Sequence, residues 1–194
     1  MIHPKTELRF INSEVGYGVV AIDFIPKGTI TWALDNLDRE FTQSQFDEML
    51  PLYQNILDKY SFRNNRGNLI LCWDIARYVN HSFNANCLTT AYDFEIAIRD
   101  IYEGEQLTDD YGYLNIAHPF EAIDEGTDRK VVYPDDLVNY HSVWDQQLLE
   151  TWPYIIEVDQ PLREIIPQHI WAKVENITGG QEKMDSILKC YYPG

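Results

Sequence analysis

Apolar and polar positions change their period several times along this chain, and each change marks an element. Between residues 8 and 34 the apolar runs are short and divided by turn residues. Leu8–Ile11, Val19–Ile22 and the β-branched stretch Thr29–Leu34 are separated by Gly16-Tyr17-Gly18 and by Ile25-Pro26-Lys27-Gly28. Such runs predict three strands, because proline fixes φ and glycine accepts the left-handed region at the turns. From residue 42 the period lengthens. Phe46, Met49, Leu50, Tyr53, Ile56, Leu57 and Tyr60 recur at helical spacing. Thr42 and Gln45 stand at capping-box spacing ahead of them. Pro51 predicts two short helices or one kinked helix, so residues 42–60 form a helical insert in a β-rich frame.

Strand character returns at Leu69–Trp73, Cys87–Tyr92 and Phe94–Arg99, around a polar stretch from Arg77 to Cys87. Glu103-Gly104-Glu105 reads as a turn, and Leu107–Tyr113 closes the block. Residues 114–130, rich in Gly, Pro and acids, read as loop. From Asp135 onward Leu137, Val138, Tyr140, His141, Trp144, Leu148 and Leu149 follow a helical period, which Pro153, Pro161 and Pro167 divide. The expected fold is mainly β, with a helical insert and a helical C-terminal extension. A boundary near 131 separates residues 1–130 from an extension, 131–194, that packs on them.

Composition narrows the function. Of 194 residues 45% are apolar and 26 are aromatic, enough for a real core, so a globally disordered chain is excluded. Thirty-one acidic residues against 15 basic ones give a net charge of −16. That surface repels phosphate backbones and attracts basic polypeptides, so no direct nucleic-acid partner is expected. Cys72, Cys87 and Cys190 are too few for a disulfide framework and point to a reducing, intracellular compartment: cytoplasmic, or nuclear in a nucleated cell. Their spacing matches no zinc pattern, the histidines do not complete one, and no metal is expected. No apolar run approaches the ~18 residues of a membrane span, and Met1–Glu7 lacks the apolar core of a secretory signal.

Three segments carry the candidate chemistry: Gly16-Tyr17-Gly18, Arg77-Tyr78-Val79-Asn80-His81-Ser82 and Gly104-Glu105-Gln106-Leu107-Thr108-Asp109-Asp110-Tyr111-Gly112. The glycine pair alone is also what a plain turn looks like. In this order and spacing, the three together resemble the SET domain of protein lysine methyltransferases, over about residues 8–113. The resemblance implies short curved sheets (a β-clip) around a knot-like crossing, with the insert where the family carries its variable segment. It also implies methyl transfer from S-adenosylmethionine to a lysine amine.

The residue roles follow from the resemblance. Tyr111 matches the Asp-Tyr-Gly tyrosine that orients the lysine nitrogen and steadies the methyl group. Asn80 and His81 match the pair that holds the cofactor, His81 through its backbone. Gly16, Tyr17 and Gly18 match the first cofactor loop. Tyr60, in Tyr60-Ser61-Phe62, resembles a ring of the lysine channel. Tyr113 is a second channel candidate, two residues from Tyr111 and on the same face if the chain is extended there. The chemistry is demanding. Only about one free lysine in 10³ is neutral at pH 7, so the site must desolvate and align the amine.

Departures from the family pattern raise three questions. Phe83 stands where many members have a cysteine, and no Cys-x-Cys follows Tyr111, so a zinc-bound closing segment is absent. Residues 114–152 must close the channel, with Phe120, Tyr133, Tyr140, Trp144 and Trp152 as candidate rings. Asp109 and Ile96 occupy positions where members often place an aromatic ring that limits how many methyls fit. Asp109 either faces solvent or binds a substrate cation. Residues 100–136 hold eleven acids and two bases, which is either a solvated face or a guide for a basic substrate. The expected substrate is a lysine of a basic protein such as a histone or histone-like protein. The alternatives are a catalytically inactive SET-derived module that binds basic peptides, and a small-molecule or non-histone methyltransferase on the same fold.

Overall fold

The computed structural model describes residues 1–194. Short apolar runs give short strands, and the sheets are correspondingly small. β1 (Thr6–Asn12) and β2 (Gly16–Ala21) form an antiparallel hairpin. Only β2 turns into the core, burying Val19, Val20 and Ala21. β3 (Ile30–Ala33) follows and is buried throughout. The insert then begins with β4 (Arg39–Phe41), α1 (Gln43–Asp47) and α2 (Pro51–Tyr60). The capping box forms: Gln45 N donates to Thr42 Oγ1 (3.3 Å) and Thr42 N to Gln45 Oε1 (2.8 Å). Pro51 opens α2 at its first position, where the missing N–H is harmless, so the insert holds two helices rather than one kinked helix.

β5 (Ser61–Arg63) and β6 (Leu69–Leu71) complete the insert, with β6 between β4 and β5. The polar stretch contributes β7 (Asn80–His81). β8 (Cys87–Thr89) and β9 (Phe94–Ala97) join β3 in a sheet whose middle strand, β9, is antiparallel to both neighbours. β10 (Thr108–Asp109) pairs in parallel with β7, Thr108 beside Asn80 and Asp109 beside His81. The segment expected as loop contains a small hairpin, β11 (Phe120–Glu121) with β12 (Val131–Val132). α3 (Asp136–Thr151) and α4 (Gln168–Thr178) make up the extension, α4 beginning just after Pro167. Neither these nor any other helix is long and apolar enough to cross a membrane.

The extension has no core of its own. Trp144, Leu148, Trp152 and Val174 join Ile30, Leu88, Phe94 and Ile96 in one apolar cluster. A second cluster, around Val19, Ile25, Trp32, Cys72 and Leu107, underlies the hairpin. Polar side chains stitch the extension to the frame. Gln160 Oε1 accepts from Ile30 N (2.8 Å), while its amide donates to the carbonyls of Gly28 (2.9 Å) and Ile155 (2.8 Å).

Buried Asn115 joins three distant segments. Its amide donates to the carbonyls of Arg63 (2.9 Å) and Cys190 (2.8 Å), and its Oδ1 accepts from Tyr192 N (2.9 Å). Its φ of +51° is a conformation that asparagine tolerates better than most residues. We predict that Asn115→Ala lowers stability by about 2–4 kcal/mol, from lost hydrogen bonds and left-handed strain. Urea denaturation measures it, and a loss below about 0.5 kcal/mol would show that the clamp is incidental.

Candidate active site

The parallel pairing of β7 with β10 puts the two longer motifs side by side. Ser82 N donates to the Asp109 carbonyl (2.9 Å) and extends the pairing. Asn80 then reaches the glycine loop: its amide donates to the Tyr17 carbonyl (3.1 Å) and to Gln106 Oε1 (3.1 Å). Gly18 makes that approach feasible. A Cβ there would lie 2.5 Å from Gln106 Oε1 and 2.7 Å from Asn80 Nδ2. Gly16, at φ +82°, faces open space, and Tyr17 is exposed. The glycine loop thus meets Asn80 at the β7–β10 pairing, with His81 the next residue along β7. With its N–H groups taken, Asn80 offers a ligand its Oδ1, an acceptor suited to an ammonium.

His81 does more with its side chain than the sequence reading allowed. Its Nδ1 accepts from Tyr111 N (3.1 Å), which puts the ring proton on Nε2. Burial holds its pKa below the ordinary histidine value, so the ring is neutral at pH 7. Nε2 is buried without a protein partner. The ring packs among Phe83 (4.5 Å), Tyr111 (5.4 Å) and Phe120 (5.5 Å).

The Tyr111 hydroxyl donates to the Val79 carbonyl at 2.6 Å, which fixes the direction of its lone pairs. Burial, with the charges of Asp109 and Glu95, raises its pKa above the ordinary phenol value. It is a neutral hydroxyl at physiological pH and no base. Tyr111 and Tyr60 both line a cavity of about 630 Å³, with Phe62 and Phe120 also on its walls. Tyr60 meets Tyr78 edge-on at 5.2 Å.

Tyr113 is elsewhere, which corrects its reading as a channel residue. Asp110 accepts from Gly112 N (3.0 Å) and caps a 3₁₀ turn over residues 111–113, so the chain is not extended there. Tyr113 turns into the core, edge-on to Trp144 at 5.4 Å. Its hydroxyl donates to Asp109 Oδ1 (3.0 Å) and accepts from Asp110 N (3.1 Å). Ile96 is also core.

The segment after Tyr111 closes over the motifs through polar ties. Glu125 Oε2 accepts from Ser82 Oγ and Phe83 N, both at 2.9 Å. Arg129 pairs with Asp110 and Asp136, and lies over the rings of Phe83 (4.5 Å) and Tyr140 (4.4 Å). Of the five candidate rings, Phe120 lines the Tyr111 cavity. Trp144 and Trp152 are core, Tyr140 stacks on Arg129, and Tyr133 is exposed.

Besides exposed Asp58, two carboxylates share the cavity with Tyr111: Asp109, whose position the sequence marked, and Glu95, which it did not. Both are buried. Desolvation raises Glu95 well above the ordinary carboxylate value and lifts Asp109 to about 7. The signal for Glu95 was a lone acid inside the apolar run Phe94–Ala97. Between about pH 4 and 7 folded Asp109 holds a proton that the unfolded chain has lost. Stability therefore falls as pH rises through that window and levels off above it. We predict that Asp109→Asn shrinks this fall in urea midpoint, relative to the parent chain. Parallel profiles for the two would show that Asp109 does not carry the proton.

Comparison with curated proteins finds no match. A protein-family model, described as SET domain, matches residues 16–112, half of the chain. It begins at the glycine loop and ends one residue past Tyr111, so it spans each motif gathered at the β7–β10 crossing. With its small sheets and C-terminal helices, the chain belongs to the SET-domain family, and so to the methyltransferase superfamily in general.

Proposed function

We propose that this chain transfers methyl groups to a lysine side-chain amine of a basic protein, such as a histone or histone-like protein, using S-adenosylmethionine. The observation that carries this reading is the fixed Tyr111 hydroxyl on the wall of an aromatic cavity, next to the cluster of Gly16, Asn80 and His81. That cluster suits the cofactor: the Gly16 side is open, Asn80 presents an acceptor, and His81 Nε2 is an orphaned buried N–H. When bound, S-adenosylmethionine supplies an electrophilic methyl group on a sulfonium. The Gly16–Gly18 backbone, Asn80 Oδ1 and His81 would hold it.

The chain's own contribution is alignment and desolvation. A lysine stem entering the cavity would pass the rings of Tyr60, Phe62 and Phe120, and apolar surroundings there would reduce the preference of its ammonium over the neutral amine. The Tyr111 hydroxyl spends its one donor on the Val79 carbonyl, so its lone pairs accept from an amine N–H or from a polarised methyl C–H. Acidic residues concentrated over 100–136 favour a Lys/Arg-rich partner by steering. Three free thiols suit a reducing intracellular compartment.

A radiolabelled methyl-transfer assay against a panel of basic proteins tests this directly. Label is expected on lysine. Tyr111→Phe should lower turnover about 10²-fold with cofactor affinity retained. Asn80→Ala should weaken cofactor binding about tenfold by calorimetry, a hydrogen bond's worth. Added salt should depress kcat/KM for a basic peptide more than for a neutral one, and an equal response would end the steering idea. Cofactor binding absent altogether, with no label on any protein, would turn the reading to a non-catalytic peptide-binding module.

A further inference from the structure

The inner end of the Tyr111 cavity is charged where its walls are apolar. Exposed Asp58, Lys59 and His118 mark the mouth, and buried Trp32, Glu95 and Asp109 mark the floor. Glu95 lies opposite Trp32 across β9 and β3, so both side chains leave the sheet on the same side. Glu95 is 8% exposed, lines the cavity, and has neither a salt bridge nor a hydrogen bond among the groups that set its charge. Trp32 Nε1, beside it, has no acceptor. Asp109 accepts the Tyr113 hydroxyl through Oδ1 and keeps Oδ2 unengaged. Unpartnered polar atoms at this depth are costly unless something else satisfies them.

We propose that Glu95 and Asp109 form an anionic floor that receives the ammonium end of a lysine side chain and takes one proton from it. This rests on the lysine methyl-transfer reading and adds what that reading lacks, an acceptor for the proton the amine must lose. One N–H bond of the ammonium breaks, and its electron pair stays on nitrogen as the nucleophilic lone pair. The proton forms an O–H bond on the ionised carboxylate of the pair and later leaves to solvent.

The neighbouring groups leave this task to the two carboxylates. Tyr111 and Tyr113, with Cys72 and Cys87, are pushed upward by burial and stay protonated. Asp110 is paired with Arg129, and the Met1 amino group with Asp35. Arg63 and Arg77 are held on the carbonyls of Gly67 and Cys72. Desolvation and mutual repulsion keep the pair from carrying two negative charges at neutral pH, so a single cation is enough to balance it.

Carbon-13 NMR of the full chain, labelled at Asp and Glu carboxyls and free of cofactor, tests this with n-butylammonium as the probe. The Asp109 signal is expected to titrate near pH 7, and the probe should shift both signals saturably and lower that midpoint. Glu95→Gln and Asp109→Asn should each weaken probe binding at least about tenfold. The neutral isostere n-butanol should not compete. Binding of n-butanol as tight as the ammonium, or unchanged affinity in both variants, would overturn the floor as a cation site. Tighter binding of n-propylguanidinium would overturn lysine as its ligand. If a variant fails to fold, the parent chain's response to the ammonium and the alcohol still decides. Methyl transfer is scored separately. Label on lysine with no ammonium binding at the pair removes this proposal and leaves the enzyme, whereas ammonium binding with no cofactor binding does the reverse.

Discussion

Two residues of parallel backbone hold this site together. Thr108 beside Asn80 and Asp109 beside His81 are a pairing too short to persist alone. It persists because polar side chains lock it on both sides. Asn86 accepts from Thr108 N (2.9 Å) and donates to the Gln106 carbonyl (2.7 Å), while His81 catches Tyr111 N. The glycine loop, the tyrosine and the closing segment all hang on that crossing. Hydrogen bonds set the site's geometry, and the two apolar clusters support it from either side. Hydrogen bonds are directional in a way that apolar contacts are not, and a site that aligns one amine with one methyl needs direction.

The acidic run from 100 to 136 divides into residues with internal partners and residues without. Asp110, Asp124, Glu125 and Asp136 are engaged with Arg129, Lys130 or the Ser82 turn. Asp109 is buried beside Glu95. Exposed acids such as Glu103 and Asp128 remain to colour the surface. One stretch therefore builds the closing segment, charges the cavity floor and gives the exterior its sign. A buried acid pair opposes folding, and chains keep such pairs mainly where chemistry requires them.

Local signals were legible, and distant pairings were not. The hairpin, the central sheet strands and the break at Pro51 announce themselves through turn residues and a capping box within a few positions. β4 and β5 are three-residue strands defined only by β6, and three residues carry no period. Tyr113 was misplaced because spacing alone assumes an extended chain, and the cap at Asp110 bends it. The motifs named Tyr111, Asn80 and the glycine loop. They were silent on the His81 ring as Tyr111's anchor and on Glu95, whose strand reads as pure core except for that one residue.

The Asn115 clamp also imposes an order in time. Asn115 lies just past the Tyr111 turn, yet one of its acceptors, the Cys190 carbonyl, is made 75 residues later. On a ribosome the strands and the tyrosine emerge well before the tail that pins the segment behind them, and domains assemble as synthesis proceeds. The nascent chain thus carries every motif of the site while one of its walls is still unfastened. An immature chain of this kind has its chemistry encoded but not yet enclosed, and translation itself separates the two events.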